Sequence, residues 1–210
     1  VDETGTDVLL DNLRSLAVER LDYIIVQHAE QDHSGGLKRL LAEYPQASVL
    51  GSARSLELLA EFGLMDAGKG QEAKDGKSIP LGGRSLQFIS APWVHWPDTM
   101  FTYVPEERIL FTCDFLGAHY SFAPLLMSKV RDIPDYMAGV EKYYQDIMSP
   151  FSRPFVVNGI KAVRDIGPDL VLPGHGAVLD SHLEQMLEMY ERLSAAPEKS
   201  GKSVAMIYVS

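Results

Sequence analysis

The sequence predicts an α/β fold, and three observations support this prediction. Short apolar runs of strand character alternate along the chain with longer segments in which apolar residues recur at helical spacing. Of the 210 residues, 46% are hydrophobic and 23% are charged, which is the composition of a globular domain with a sizeable core. The strands are too irregularly spaced for a simple doubly wound sheet. The length fits one large domain, or one domain plus a fragment.

Helices are predicted where apolar residues recur every three or four positions. They are 7–19, a helix that Ser34 caps and that carries Leu37, Leu40 and Leu41, a helix from Ser52 through Phe62, 134–148, 152–166 and 180–194. The predicted strands are 22–27, 47–50, 86–90, 100–104, 108–112 and 170–172. The stretch 66–78, rich in Gly, Lys and Asp, is predicted to be a loop, and 195–203 a linker.

Charge and cysteine content narrow the function classes. The net charge of −10 argues against nucleic acid or an anionic membrane as a partner, since both repel an acidic protein. No apolar run has the length needed to span a bilayer. The single cysteine, Cys113, excludes an internal disulfide and fits a reducing compartment, so we expect a cytoplasmic protein. Because side chains alternate along a strand, Cys113 is expected to face away from Asp114, as a buried thiol rather than a ligand.

The most informative motif is His28-Ala-Glu30-Gln-Asp32-His33, which follows the predicted strand at 22–27. It places two imidazoles and two carboxylates at a strand end, where a scaffold can hold ligands rigidly. Residues two apart in an extended stretch point the same way, so His28 and Glu30 can share one metal ion. Asp32 and His33 can turn toward a second ion. Histidine combined with carboxylates is a ligand set for a transition metal.

Three further candidate ligands lie at other strand ends. His95 and His175 each follow a predicted strand, and Asp114 ends another. Glycines flank His175, and they allow the backbone to approach a ligand closely. Seven candidate ligands therefore come from four strand ends, and they include four of the six histidines of the chain.

Three longer runs carry a resemblance to a known family. They are His28-Ala-Glu-Gln-Asp-His-Ser-Gly-Gly36, Ala91-Pro-Trp-Val-His-Trp-Pro-Asp-Thr-Met-Phe-Thr-Tyr103 and Tyr143-Tyr-Gln-Asp-Ile-Met-Ser-Pro-Phe-Ser152. The order HxExDH, His, Asp, then GHG resembles that of the metallo-β-lactamase superfamily, whose fold is an αββα sandwich. Within this superfamily, nearly the whole chain resembles the diiron domain of the flavodiiron proteins, also called A-type flavoproteins.

The resemblance implies a ligand set and an activity. By it, one iron would be held by His28, Glu30 and His95, the other by Asp32, His33 and His175, and Asp114 would bridge the two. The implied reaction reduces dioxygen to water, nitric oxide to nitrous oxide, or both. In the family, electrons come from FMN in a C-terminal flavodoxin-like domain. A rubredoxin-type or flavin reductase donor supplies electrons to this FMN. The enzyme is a head-to-tail homodimer.

The resemblance also implies a division of the chain. Residues 1–194 would form the diiron domain, and 204–210 would be the first strand of a flavodoxin-like domain. This strand stops before any phosphate-binding loop, so we expect the FMN site to be absent from this chain. Because the family has further strands before the position of Val1, we also expect a sandwich that lacks its N-terminal strands.

Glu30 favours the iron branch over the hydrolases, which usually have His at this position. Two divalent ions carry four positive charges, which three carboxylates and one bridging hydroxide would neutralise. Such anionic ligation lowers Lewis acidity and stabilises the ferric state. One alternative stays open, a binuclear zinc hydrolase acting on a thioester or similar acyl substrate, because Pro173-Gly-His175-Gly is as typical of hydrolases. A non-catalytic scaffold is the second alternative.

Residues near these motifs are candidates for supporting roles. His119 lies where the family commonly has a histidine in the pocket beside the irons, and a loop histidine without a role is the alternative. Tyr144, next to Tyr143 on a predicted helix, is a candidate proton donor to bound oxygen, with core packing as the alternative. Trp93 and Trp96 are predicted to wall off the site, or to pack in the core.

Overall fold

The structure is a computed structural model that describes residues 1–195, so 196–210, with most of the predicted linker and the predicted strand at 204–210, lie outside the described residues. The strands are β1 (Tyr23–Ile25), β2 (Ser48–Gly51), β3 (Gln71–Glu72), β4 (Ser78–Pro80), β5 (Ser85–Ser90), β6 (Met100–Val104), β7 (Ile109–Cys113) and β8 (Leu170–Pro173). The α-helices are α1 (Thr6–Ser15), α2 (Gln31–Ser34), α3 (Leu37–Glu43), α4 (Ala53–Glu61), α5 (Ile133–Tyr143), α6 (Val157–Ile166) and α7 (Leu183–Ser194). Within residues 1–195, no helix combines the length and apolar character that crossing a membrane requires.

The strands form two sheets. One sheet is parallel, in the order β1-β2-β3. The other has five strands in the order β4-β5-β6-β7-β8, in which β4 to β7 are antiparallel and β8 runs parallel to β7. Strand β6 is buried along its whole length, because it is the central strand and is covered on both faces.

The two sheets pack face to face, and helices cover both outer faces. Between the sheets, Leu50 of β2 packs with Phe88 of β5 and Met100 of β6. Leu37 of α3 and Leu59 of α4 belong to a second cluster, on the three-stranded sheet. The largest cluster joins α5, α6 and α7 to the five-stranded sheet and includes Phe101, Leu110, Tyr136, Val140, Ile160, Val163, Leu187 and Tyr190. The order helix, sheet, sheet, helix confirms the predicted αββα sandwich.

Several predicted elements differ from the structure in detail. Ser52 caps α4 as predicted, since its hydroxyl accepts a hydrogen bond from the Ser55 N–H at 3.1 Å. Ser34 does not cap α3; it ends α2, and its hydroxyl donates to the carbonyl of Ala29 at 2.7 Å. The prediction of a loop at 66–78 was wrong in part, because β3 lies within it and pairs with β2.

The two helices predicted at 134–148 and 152–166 are interrupted. The α-helical geometry of α5 ends at Tyr143 and that of α6 begins at Val157, with wider and tighter turns between them. Arg153 is extended there, at φ −129° and ψ 133°, because the ring of a following proline disfavours the helical conformation. The predicted final helix at 180–194 begins three residues later, at Leu183.

Candidate metal centre

The seven predicted ligands converge at one edge of the sandwich, where the loops after β1, β5, β7 and β8 meet. The first three-residue set is His28, Glu30 and His95. The Oε2 atom of Glu30 lies 3.4 Å from His28 Nε2 and 3.2 Å from His95 Nε2. The Oδ2 atom of Asp114 completes this set, at 3.0 Å from His28 Nε2 and 3.3 Å from His95 Nε2. Two carboxylates and two imidazoles thus face one small volume.

The second set is Asp32, His33 and His175, and it lies against the other oxygen of Asp114. The Oδ2 atom of Asp32 is 3.3 Å from His33 Nε2 and 3.1 Å from His175 Nε2. The Oδ1 atom of Asp114 is 3.0 Å from His33 Nε2 and 3.3 Å from His175 Nε2. The two oxygens of the Asp114 carboxylate therefore face different ligand sets.

Asp114 is the electrostatic centre of this cluster. Its side chain is 1% exposed. Burial opposes its ionisation, but contacts with four imidazoles outweigh this effect and hold the pKa of Asp114 well below its usual range. The same charge raises the pKa of His175, and it raises the pKa of His95 although burial of that ring acts in the opposite direction.

The loop after β1 is fixed to the five-stranded sheet by side-chain hydrogen bonds. The amide of Gln27 donates to the carbonyl of Phe111 and accepts from the N–H of Cys113, both at 3.1 Å. On the other side of the site, Gly174 packs directly against His33. A Cβ atom at Gly174 would lie 2.7 Å from His33 Cε1, so any larger residue at this position would have to displace the ring of His33 or the loop.

Cys113 corrects one expectation from the sequence. It is buried as expected, but it does not face away from Asp114, because its Sγ lies within 4.8 Å of the ligand atoms of His28, His33 and Asp114. The strict alternation fails because β7 has a register shift between Phe111 and Cys113, and Cys113 has a φ of +53°. Burial raises the pKa of the Cys113 thiol well above its usual value, so the sulfur stays protonated. Together with His28 and His33, it lines a mostly apolar cavity of about 460 Å³.

Of the two candidate supporting residues, His119 lies beside the ligand cluster and Tyr144 does not. His119 is exposed, and its ring centroid is 5.1 Å from His175 and 4.8 Å from Tyr143. Tyr144 is not brought to the cluster, because its hydroxyl contacts Ser152 at 2.5 Å and Ser194 at 2.8 Å. The geometry therefore favours core packing for Tyr144.

Tyr143 is the tyrosine that the structure places beside the candidate ligands. Burial, and then the charge of Asp114, raise the pKa of Tyr143 well above its usual value. The sequence could not distinguish it from Tyr144, because adjacent helical residues point in directions about 100° apart and both are apolar enough to be buried.

The two tryptophans contact the candidate centre in different ways. Trp96 lies 5.3 Å from the His28 ring between centroids and also packs on the apolar cluster of Leu37 and Leu59, so it contacts both the candidate site and the core. Trp93 is 42% exposed and stacks on Phe151, whose ring also lies 6.3 Å from that of His95.

Two buried atoms of the cluster have no hydrogen-bond partner among residues 1–195. They are Oδ1 of Asp114 and Nε2 of His33, which lie 3.0 Å apart but without the angles of a hydrogen bond. A buried polar atom without a partner is costly, and one that faces other imidazoles and carboxylates is suited to a metal ion. The donor set of nitrogen and oxygen atoms therefore fits a pair of transition-metal ions, one for each side of Asp114.

The αββα sandwich with two ligand sets on one shared carboxylate defines the class of protein as metallo-β-lactamase-like. A family model described as ODP family beta lactamase matches residues 3–176, and the chain therefore belongs to this family.

The relatives are flavodiiron proteins. The flavo-diiron protein FprA2 of Clostridium acetobutylicum is 33% identical over 208 residues, which are 97% of this chain and 52% of that protein. The type A flavoprotein fprA of Rhodobacter capsulatus is 38% identical over 204 residues, which are 92% of this chain and 46% of that protein. The crystal structure of the flavodiiron protein from Giardia intestinalis superposes with a TM-score of 0.84 at 26% identity, covering 92% of this chain and 47% of that one. The resemblance stated from the sequence motifs is confirmed, and the chain spans about half the length of the curated relatives it matches.

Proposed function

We propose that this chain is the diiron domain of an oxidoreductase that reduces dioxygen to water, nitric oxide to nitrous oxide, or both. The observation that carries this proposal is the position of Asp114, whose two carboxylate oxygens each face a separate set of ligands. One iron would be held by His28, Glu30 and His95, the other by Asp32, His33 and His175, with Asp114 bridging. An iron pair held in this way supplies one-electron redox chemistry at two adjacent ions.

Glu30 supports iron over zinc. Its carboxylate lies in the same set as His28 and His95, where it brings the number of carboxylates in the centre to three. Three negative ligands lower the net charge of two divalent ions and favour the higher oxidation state. A hydrolase needs the opposite, a strongly Lewis-acidic ion that activates water. The relatives named above are flavodiiron proteins, so they do not favour the zinc hydrolase, and the intact ligand geometry argues against a non-catalytic scaffold.

Tyr143 and His119 are suited to proton supply. Both reductions consume protons, and the ring of Tyr143 lies beside those of His175 and His119, where its hydroxyl can pass on a proton. Its raised pKa makes it a weak acid, so a proton that it gives up must be replaced in the same step, and His119 is placed to replace it. The exposed ring of His119 packs perpendicular to the ring of Tyr143 and lies near His175. It therefore connects this buried position with solvent. In this proposal Tyr143 takes the role that the sequence suggested for Tyr144.

This chain matches about half of the length of its relatives, so we infer the source of electrons from the relatives and not from the chain itself. Their names include flavoproteins, which supports an FMN domain that follows a diiron domain at 1–194, a linker at 195–203 and a first strand at 204–210. A rubredoxin-type or flavin reductase donor, a head-to-tail homodimer and a cytoplasmic location complete the proposal.

A single-turnover experiment tests the proposed chemistry without a flavin domain. The protein is purified without oxygen, loaded with Fe(II) and mixed with nitric oxide, and nitrous oxide and iron oxidation are both measured. Conversion of two NO to N2O and water takes two electrons and two protons, which one ferrous pair can supply. We therefore expect about one N2O for every two irons oxidised, and fast oxidation of the same pair by O2.

A variant of a histidine outside both ligand sets serves as the control for changes to the candidate ligands. His182 is exposed and is not a member of either ligand set. It has a φ of +60°, so His182→Asn is the suitable change, because asparagine tolerates this conformation. This variant should retain two irons and the full N2O yield. Fully loaded protein that forms no N2O and is not oxidised by O2 would contradict the proposal, as would two zinc ions that Fe(II) cannot displace.

A further inference from the structure

Asp98 is a buried carboxylate that belongs to neither ligand set. It lies in the loop between β5 and β6, and its side chain is 0% exposed. Its Oδ2 atom accepts a hydrogen bond from the N–H of Ala29 at 2.7 Å. Its Oδ1 atom has no hydrogen-bond partner among the described residues and lies 4.0 Å from Nδ1 of His28. Burying a carboxylate oxygen without a partner is unfavourable, so this atom requires an explanation.

His28 is the ligand that this oxygen faces, and its two ring nitrogens have different surroundings. Nε2 points into the candidate metal site, at 3.0 Å from Asp114 Oδ2. Nδ1 lies 3.1 Å from the N–H of Glu30. If Nδ1 accepts this hydrogen bond, the ring proton is on Nε2, which then has no lone pair for a metal ion. Coordination through Nε2 requires the other tautomer, with the proton on Nδ1 and an acceptor for it.

We propose that Asp98 is a positioning residue that accepts the Nδ1 proton of His28 and thereby frees Nε2 to bind the metal ion. The inference rests on the proposed metal centre and adds a residue that selects the tautomer and ring orientation of one of its ligands. Asp98 Oδ1 lies 4.0 Å from Nδ1 of His28 and is a buried acceptor without a hydrogen-bond partner among the described residues, so we assign the Nδ1 proton to it. Carboxylates that orient a metal-binding histidine in this way are a general feature of such sites.

The loop that carries Asp98 is anchored on both sides. The hydroxyl of Ser52 donates to the backbone carbonyl of Asp98 at 2.7 Å. Two residues later, the N–H of Met100 donates to the carbonyl of Gln27 at 2.9 Å. Trp96 of the same loop packs against the ring of His28. The carboxylate is therefore held in place beside the ring of His28.

The test uses Asp98→Asn in the full chain. Asparagine has the same shape and can still accept from Ala29 N–H, but it then presents an N–H group to Nδ1 of His28 and stabilises the wrong tautomer. Metal-free wild type and variant are titrated with Co(II), whose absorption bands report ligand number. We expect two sites in the wild type. In the variant, we expect the affinity of one site to fall by about 10- to 100-fold while the other keeps its value.

A second measurement reads the tautomer directly. In wild-type protein loaded with Zn(II), nitrogen NMR of labelled histidine should show the proton of His28 on Nδ1. The control variant Asp180→Asn makes the same chemical change at an exposed carboxylate that belongs to neither ligand set, and it should retain both Co(II) affinities. Thermal unfolding of the metal-free proteins should show little change for Asp98→Asn, because the Ala29 hydrogen bond is retained.

The outcomes separate this inference from the proposed function. Wild type without two Co(II) sites overturns the proposed metal centre, and this inference with it. Two Co(II) sites of wild-type affinity in Asp98→Asn overturn this inference alone. Equal weakening of both sites together with a lower unfolding temperature of the metal-free variant shows a general structural role and also overturns it. If the variant does not fold, a Zn(II)-loaded wild type without a proton on His28 Nδ1 still decides against it.

Discussion

Replacing Asp114 by asparagine tests the central assignment of this structure. Asp114 contacts four imidazoles, two through each oxygen, and is almost completely buried. Asparagine has nearly the same volume, so the change leaves no cavity and isolates the electrostatic effect. It removes the negative charge and replaces one of the two acceptor oxygens by an amide NH2 group.

The expected loss of stability follows from the burial of this carboxylate. In the metal-free protein, Asp114 raises the pKa of His95 and His175 and is the charge partner of both. Removing one member of a buried charged cluster costs about 3–5 kcal/mol. For a domain of this size, each kcal/mol lowers the unfolding temperature by about 2–4 °C, so Tm should fall by about 6–20 °C. In the metal-loaded state both sets lose the shared oxygen, and fewer than two ions should remain bound.

The assay is thermal unfolding by circular dichroism after chelation, combined with metal analysis after reloading. Asp180→Asn is the matched control, because Asp180 is an exposed carboxylate that accepts hydrogen bonds from Ser128. Its stability change should stay within about 1 kcal/mol, and its metal content should be unchanged. An Asp114→Asn protein that retains two ions per chain and a Tm close to that of the wild type would refute the reasoning.

Three further changes test individual parts of the site. Glu30→His removes one of the three carboxylates, so competition between Zn(II) and Fe(II) should shift toward zinc, and a ratio equal to that of the wild type would contradict the role given to charge. Gly174→Ala forces a methyl group against His33, so one of the two bound ions should be lost while the other stays, as metal analysis would show; unchanged occupancy would mean that the loop moves at little cost. Tyr143→Phe should leave the metal content unchanged but slow N2O formation in single turnover by about 10²-fold or more, and an unchanged rate would assign the proton to another group.

The cluster of candidate ligands could be predicted from the sequence because most of its information is local. His28, Glu30, Asp32 and His33 lie within one short segment, and strand periodicity alone indicates that it leaves a strand. Strand β6 was predicted with its observed bounds, because its apolar run is compact and is followed by a Pro-Glu-Glu turn. The cap at Ser52 was likewise predictable, since it depends on one side chain and the adjacent backbone.

Features that depend on contacts between distant segments could not be predicted in the same way. The orientation of Cys113 depends on a register shift in β7 beside β8, which lies more than fifty residues away in the sequence. The choice between Tyr143 and Tyr144 depends on how α5 is rotated on the sheet. Asp98 lies in the motif at 91–103, but the sequence alone assigned no role to it. The role that we propose depends on the proximity of Asp98 to His28 in the folded chain.

The position of the site explains why its ligands also bear on the stability of the fold. His28, Glu30, Asp32 and His33 follow a strand of the three-stranded sheet, whereas His95, Asp114 and His175 follow strands of the five-stranded sheet. Each proposed ion would therefore have ligands from both sheets. Because the proposed metal ions would bind the assembled site much more tightly than the unfolded chain, their free energy of binding would add to that of folding and hold the two sheets together. The hydrogen bonds from Gln27 to β7 and from Ala29 to Asp98 bring the same two sheets into register without a metal ion. The metal-free sandwich is thus organised for binding, and loss of a shared ligand such as Asp114 weakens the site and the contact between the sheets together.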